Sequence, residues 1–320
     1  MKILIISKKN MLNWGENLAD ALLSKKNIVN NLFVNQVGNL NNIKRNILKM
    51  ISKDLMNKAI SELIEKRILT FKPDLIIVIS PFMFNCKIFD CFDNFPNILR
   101  YAWIGDKFKE EHKLIANKFN KLFCTDTSFL NDSKRMMFPD SLYLPLAVNE
   151  KIFFNKKEKR KNNLLFIASY TKERLEFLNK INSIDLKLIG PKWNKVNFSK
   201  KIIYLNKTIS IKDVVTEYNS SKFILNIKHE HNVLNGLNMR TFEAIASGGC
   251  LLQDYVKDID LNFEINKDIV VYNNLDELNE LITKLNKDND FFNKIISNGE
   301  KNILSNHTYS NRVDILLKDL

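Results

Sequence analysis

NGLNMRTFEAIASGGCLLQDY, Asn235 to Tyr255, reads as a polar turn, a short helix closed by two glycines, and a buried strand. Asn238 is a natural N-cap, which predicts a helix over residues 239–247 that Gly248 ends. Met239, Phe242 and Ala246 share one helix face and are candidate core; Arg240, Glu243 and Ser247 share another. Backbone N–H groups and the positive dipole end at Gly236, Leu237, Asn238 and Met239 make a candidate anion site, and Arg240 adds a fixed charge for a diphosphate. Glu243 would accept hydrogen bonds from ribose hydroxyls. An amphipathic helix whose Arg and Glu are merely solvated is the plainer alternative.

The FEAIASGG tail favours the first. The segment resembles the donor-binding signature of the group 1 family of GT-B glycosyltransferases, and it looks closest to the CgeB-like (spore-maturation-type) branch. The wider family carries two glutamates eight positions apart; the second matches Glu243, and the first falls on Asn235. The resemblance therefore implies a ribose contact at Glu243. At Asn235 it leaves the sugar contact, and with it the sugar identity, open.

At 320 residues the chain exceeds the usual size of one domain, so two domains with separate cores are expected. Its 45% hydrophobic and 27% charged residues, with 8 Gly and 6 Pro, belong to a folded protein and exclude disorder as its main feature. The start, Met1 to Ser7 followed by Lys8 and Lys9, lacks the form of a secretory signal, and no run of apolar residues is long enough to span a bilayer, so a cytoplasmic protein is expected. Cys86, Cys91, Cys124 and Cys250 make no CxxC pair and do not combine with the four His at zinc spacing. The net charge of +13 suits an anionic membrane surface, a phosphorylated substrate or nucleic acid without choosing among them, and part of it reflects AT-rich coding.

Outward from the central stretch, both halves alternate strands and helices, the pattern of parallel sheets. Predicted strands in the first half are Lys2 to Ser7, Leu32 to Gln36, Asp74 to Ser80, Ile98 to Asp106, Lys121 to Thr125 and Ser141 to Asn149, with helices near 54–69 and 110–119. Ligands of open α/β sheets sit beyond the C-terminal strand ends, which nominates the loops 13–16, 80–82 and 103–106. There Trp14 and Gly15 are candidates for an acceptor pocket, with core packing as the alternative for Trp14. Asp106 is the candidate to orient or deprotonate an acceptor hydroxyl, with a helix N-cap as its alternative. No GxGxxG is present to support a dinucleotide cofactor.

The basic, aperiodic stretch KIFFNKKEKRKNN, Lys151 to Asn163, reads as a linker. The preceding LPLAVN also resembles the strand and turn ahead of the family's second domain, so the predicted domains are 1–150 and 151–320, with the last helix able to pack back on the first. In the second half, SYTKER follows a strand at Leu164 to Ser169, where the family holds its donor diphosphate. Ser169, Lys172 and Arg174 are the residues this resemblance nominates, although Ala168 and Ser169 stand where the family has glycine. Trp193, in the turn Gly190 to Trp193, is either a stacking partner for the nucleotide base or a hydrophobic plug. His229 and His231 flank Glu230 just ahead of the central stretch. No third ligand at metal spacing accompanies them, so His229 is read as a phosphate or sugar contact rather than a metal ligand. The closing NHTYSNRVDILL resembles the CgeB-like HTY and Arg segment, with Thr308 as a candidate helix cap.

The resemblance implies an α/β protein of GT-B fold, two Rossmann-like domains with parallel sheets facing across a cleft. The second would bind a nucleotide sugar, with a UDP-sugar the leading expectation, and the first a glycan, glycolipid or surface-protein acceptor. It also implies transfer with retention, without metal or other cofactor, the leaving diphosphate being held by Arg240, the 236–239 backbone and Lys172 or Arg174. Peripheral association with an anionic membrane fits the charge; nucleic acid is not an expected partner. Two alternatives stay open: an epimerase or hydrolase of nucleotide sugars on the same fold, and a non-catalytic basic binding protein.

Overall fold

Alternating buried strands and amphipathic helices assemble into two six-stranded sheets in which every pairing between named strands is parallel. The computed structural model describes residues 1–9, 13–36, 53–181, 184–195, 198, 202–228 and 234–320. The chain forms two compact units. Met1–Pro145 is joined by 234–236 and by Arg312–Leu320; the other unit comprises 146–228 and Leu237–Asn311. This division differs from two continuous halves meeting at residue 150. The C-terminal tail belongs to the first unit because Arg312 Nε donates to the Pro145 carbonyl at 2.8 Å, and Asp314 and Asp319 pair with Lys25 and Lys121.

In the first unit the strands are β1 (Lys2–Ser7), β2 (Ile28–Phe33), β3 (Leu75–Ile79), β4 (Leu99–Ile104), β5 (Lys121–Cys124) and β6 (Ser141–Tyr143), in sheet order β2-β1-β3-β4-β5-β6. β1 and β3 are covered on both faces, which is why they read as unbroken Ile/Leu/Val runs. Edge strand β2 begins at Ile28, ahead of the expected Leu32, and stops at Phe33, with Val34–Gln36 forming a 3-10 turn. Its half-exposed Asn30 and Asn31 hide it from a hydrophobicity reading. The charged segment Glu110–Lys118, expected as an α-helix, is 3-10 instead. Gly15 lets the Trp14–Ser24 helix lie on β1, since a Cβ there would sit 2.5 Å from Ser7 Oγ.

The second unit contains β7 (Lys161–Ile167), β8 (Asp185–Ile189), β9 (Ile203–Leu205), β10 (Ser221–Asn226), β11 (Cys250–Asp254) and β12 (Val270–Tyr272). Their order, β12-β11-β10-β7-β8-β9, is that of the dinucleotide-binding doubly wound sheet, and it reverses between β7 and β10. One apolar layer holds Ile224, Phe242, Ile245 and Leu251; a second holds Phe166, Trp193, Phe223 and Leu278. The Met239–Ala246 helix connects β10 to β11 and presses Phe242 and Ile245 into the first layer.

The paired glycines end that helix for two separate reasons. Gly248 adopts φ 69°, and a Cβ there would lie 2.4 Å from the Asn155 side chain. Gly249 is flanked so closely that a Cβ would lie 2.2 Å from Ile224 Cδ1. The amides of Gly248 and Gly249 return to the carbonyls of Ile245 and Ala244, closing the C-terminus as a Schellman turn. The stretch read as a linker is tethered: Arg160 donates to the carbonyls of Tyr218, Ser221 and Ser247, bracing the ends of two helices and the start of β10.

Candidate functional site

The switch point of the second sheet collects the charged groups that the central stretch promised. Arg240, in the first turn of the Met239–Ala246 helix, donates through Nη2 to the Ile167 carbonyl at the end of β7 (2.7 Å). Through Nη1 it donates to Asn226 Oδ1 at the end of β10 (2.6 Å). It thereby bridges the two strands between which ligands of such sheets bind. Its Nε is buried and has no hydrogen-bond partner among the described residues.

Arg174 approaches the same place from the Lys172–Asn179 helix, whose N-cap Thr171 accepts from the Arg174 amide. Its guanidinium donates to the Ser169 carbonyl at 2.8 Å and lies over the Phe166 ring. Burial lowers its pKa, and the neighbouring charge of Arg240 lowers it further. Among the described residues neither guanidinium is in an ion pair. Two cations held together by neutral carbonyls and an amide leave a field that an anion would relieve. Lys172, nominated alongside Arg174, turns to the surface, where its side chain is 79% exposed and 3.9 Å from Glu176. Ser169 is exposed and contributes its carbonyl to Arg174.

Glu243 lies one turn beyond Arg240 and is partly exposed. Desolvation pushes its carboxyl up to about 7, against the downward pull of Arg240. No hydrogen bond to it is made by the described residues, so its oxygens are available to a donor. Tyr218, buried beside both, is pushed up by desolvation.

Several nominated residues serve the scaffold instead. Asn238 stands at the N-cap, yet its side chain makes no cap hydrogen bond; its amide is engaged with Asn226. Leu237 and Met239 bury their side chains in the core, which leaves only their backbone for an anion. Gly236 is packed so that a Cβ would meet the Thr125 carbonyl at 2.8 Å. Asn235 donates through Nδ2 to Thr127 Oγ1 (3.1 Å), and the amides of Leu234 and Asn235 are both accepted by Asp126. His229 lies outside the described residues, as do Glu230 and His231.

The base-stacking reading of Trp193 is corrected by its burial. The indole is 0% exposed, donates to the Ala168 carbonyl at 2.8 Å and packs against Tyr170 and Phe198. Trp193→Phe is therefore expected to cost about 1 kcal/mol of stability through the lost hydrogen bond while leaving nucleotide affinity within error. Denaturant melts beside a titration with UDP check this.

On the first unit, Trp14 is likewise a packing residue, 7% exposed and edge-on to Trp103 at 5.0 Å, and Gly15 serves the close approach of its helix to β1. Asp106 follows β4, where burial raises its pKa against the pull of Lys8 and Lys109. The helix-cap alternative for Asp106 does not hold, since the Glu110–Lys118 segment is capped at Lys109. Among the described residues no three His, Cys, Asp or Glu side chains gather as a metal-binding set, and no helix is long and apolar enough to cross a membrane.

Sequence reasoning missed Asn226 and Gln253. They form a buried polar network behind Arg240 with Asn238 and Thr241. A lone Asn and a lone Gln at the ends of apolar strands are the only signals they give.

Residues 171–318 match a family model described as glycosyl transferase-like. No curated protein matches the sequence. Among solved structures the chain is similar to sucrose-phosphate synthase from Thermosynechococcus elongatus, with TM-score 0.71, 10% identity, and coverage of 99% of this chain and 98% of that one. It is also similar to Anabaena HepE in complex with UDP and glucose, with TM-score 0.69, 9% identity and full coverage of both chains. A third is the T4 phage β-glucosyltransferase in complex with its UDP-glucose substrate, with TM-score 0.60, 14% identity and full coverage of both. The fold these neighbours share with the chain is GT-B, and the glycosyl transferase-like match covers a little under half of its length.

Proposed function

We propose that the protein transfers a sugar from a nucleoside diphosphate donor, a UDP-sugar first among them, to a hydroxyl of a glycan, glycolipid or surface-protein acceptor. The observation that carries the reading is the convergence of Arg174 and Arg240, which pair with no carboxylate among the described residues, with Glu243 one turn beyond Arg240. The guanidiniums suit the diphosphate and Glu243 the ribose. The HepE and T4 phage structures, which hold UDP and UDP-glucose, support the choice of base.

In the proposed reaction the bond from the anomeric carbon to the diphosphate oxygen breaks and the acceptor oxygen bonds to that carbon. Charge gathers on the leaving diphosphate, where Arg240, Arg174 and the uncapped helix N-terminus stabilise it. Two cations and a helix dipole would supply that charge without a metal, and the resemblance to the group 1 family implies retention. Asp106 is proposed for the acceptor side, where its carboxyl, raised by burial, would accept the proton of the attacking hydroxyl. The NMRTFEAIASGG and HTY segments favour the CgeB-like branch.

The test is a thermal-shift screen of wild type and Glu243→Ala against UDP, GDP, CMP, dTDP and their sugar conjugates, followed by analysis of products formed with the best donor. A ligand at about 100 times its Kd stabilises by about 2.7 kcal/mol. The reading stands if one nucleotide stabilises wild type alone and its sugar moves to an acceptor. A free or epimerised sugar as the only product would favour the hydrolase or epimerase alternative. Response to DNA or anionic vesicles without any nucleotide would leave a basic binding protein.

A further inference from the structure

Asn226, at the C-terminal end of β10, is 0% exposed and spends every polar atom. Its Oδ1 accepts from Arg240 Nη1 at 2.6 Å and from Asn238 Nδ2 at 3.1 Å. Its Nδ2 donates to Gln253 Oε1 at 2.8 Å and to Asn238 Oδ1 at 3.2 Å. Its backbone carbonyl accepts from the Tyr272 hydroxyl at 2.9 Å. Gln253 is fixed in turn, since its amide donates to the Asp254 carbonyl at 2.7 Å and its oxygen accepts from Thr241.

Arg240 is partly buried, and an arginine drawn into a protein in this way is ordinarily matched by a carboxylate, which cancels its charge. Here β10 presents an isosteric amide instead, so Arg240 is oriented as firmly as in an ion pair while its charge stays available. The same amide holds the N-cap residue Asn238 by a reciprocal pair of hydrogen bonds. That diverts Asn238 from capping the Met239–Ala246 helix, whose first N–H groups then lack a side-chain acceptor.

We propose that Asn226 is a positioning residue that tunes the site for a diphosphate: it aims the Arg240 guanidinium without neutralising it and withholds the Asn238 cap from the helix N-terminus. This rests on the donor-site reading above. It predicts that the identity of residue 226 governs affinity for the phosphates and not for the nucleoside.

The experiment measures the Kd of UDP, inorganic pyrophosphate and uridine, by calorimetry and ligand-observed NMR, for wild type, Asn226→Asp, Asn226→Ala, Arg240→Ala and the double variant Asn226→Asp/Arg240→Ala. In Asn226→Asp a carboxylate faces Arg240, and the Thr241 hydroxyl can turn to donate to it. UDP and pyrophosphate are expected to bind at least about tenfold more weakly, with uridine within about twofold of wild type. If that variant does not fold, Asn226→Ala carries the test, since it keeps the charge but frees the guanidinium; UDP should weaken several-fold and uridine not at all. Because Asn226 acts through Arg240, adding Asn226→Asp to Arg240→Ala should change UDP affinity by less than about twofold. Equal losses for UDP and uridine, unchanged UDP affinity, or full additivity with Arg240→Ala would each overturn the proposal. Absence of any nucleoside diphosphate binding in wild type would instead remove the donor-site reading itself, and this inference with it.

Discussion

Arg240→Ala is expected to lower kcat by about a hundred- to a thousandfold, the cost of deleting one preorganised group that meets charge developing in the transition state. The donor KM should rise far less, because the diphosphate already carries its charge in the ground state and only the increment that appears on bond breaking is specific to the transition state. Arg240 is suited to that increment by its anchors. One end of the guanidinium is fixed by the Ile167 carbonyl and the other by Asn226, so reorganisation during the reaction is small. Its Nε is buried and has no hydrogen-bond partner among the described residues, so the contact with a phosphate falls to the Nη groups.

The stability of Arg240→Ala should change little. Losing two hydrogen bonds is offset by removing one of two neighbouring like charges, since the Arg240 charge is felt by the desolvated Arg174. Arg240→Lys should lie between wild type and alanine, since a lysine keeps the charge but cannot span both anchors. A steady-state assay of nucleotide release for Arg240→Ala, Arg240→Lys and Lys172→Ala decides the matter. A kcat for Arg240→Ala within twofold of wild type, or a loss matched by exposed Lys172→Ala, would sink the role.

The residues that were legible in the sequence are those whose cause is local. Periodicity placed Phe242 in the core and Arg240 with Glu243 on another face, and the double glycine marked the helix end that Gly248 and Gly249 make by conformation and close approach. Strand–helix alternation sufficed for two parallel sheets, but not for the strand orders, which depend on pairings between distant segments. Choosing Arg174 over Lys172 needed the direction of a helix face relative to β7, which two basic residues near one N-cap do not reveal. Trp193 was ambiguous because a glycine-flanked aromatic looks the same whether it meets a base or the Ala168 carbonyl. Asn226 was invisible for a related reason: in FILNI it interrupts an apolar strand, and its function appears only once Arg240, fourteen residues on, folds back against it.

Glu243 leads to the second large effect, a pH dependence. Its carboxyl titrates at about 7 in the folded protein, from an ordinary 4.5. Two ribose hydroxyls donate best to the ionised form, so donor binding should weaken as pH falls below 7, approaching about tenfold per pH unit. Between pH 8 and pH 6 the Kd of UDP should therefore rise by about an order of magnitude in wild type. In Glu243→Gln it should be weaker throughout and follow only the terminal phosphate of UDP, which ionises near pH 6 in both proteins. The stability of the free protein runs the opposite way. Between pH 4.5 and 7 the folded state holds a proton that the unfolded state has released, so the contribution of Glu243 is present below 4.5 and is lost as pH rises through 7. The loss is at most about 1.4 kcal/mol for each pH unit crossed. Glu243→Gln, unable to ionise, should melt higher than wild type at pH 8 and alongside it at pH 4, although it binds donor worse. That combination, stability gained where affinity is lost, marks a carboxylate kept desolvated for a ligand. Parallel pH profiles of UDP affinity in the two proteins, or a lower melting temperature for Glu243→Gln at pH 8, would show that Glu243 is neither the ribose contact nor a strained group.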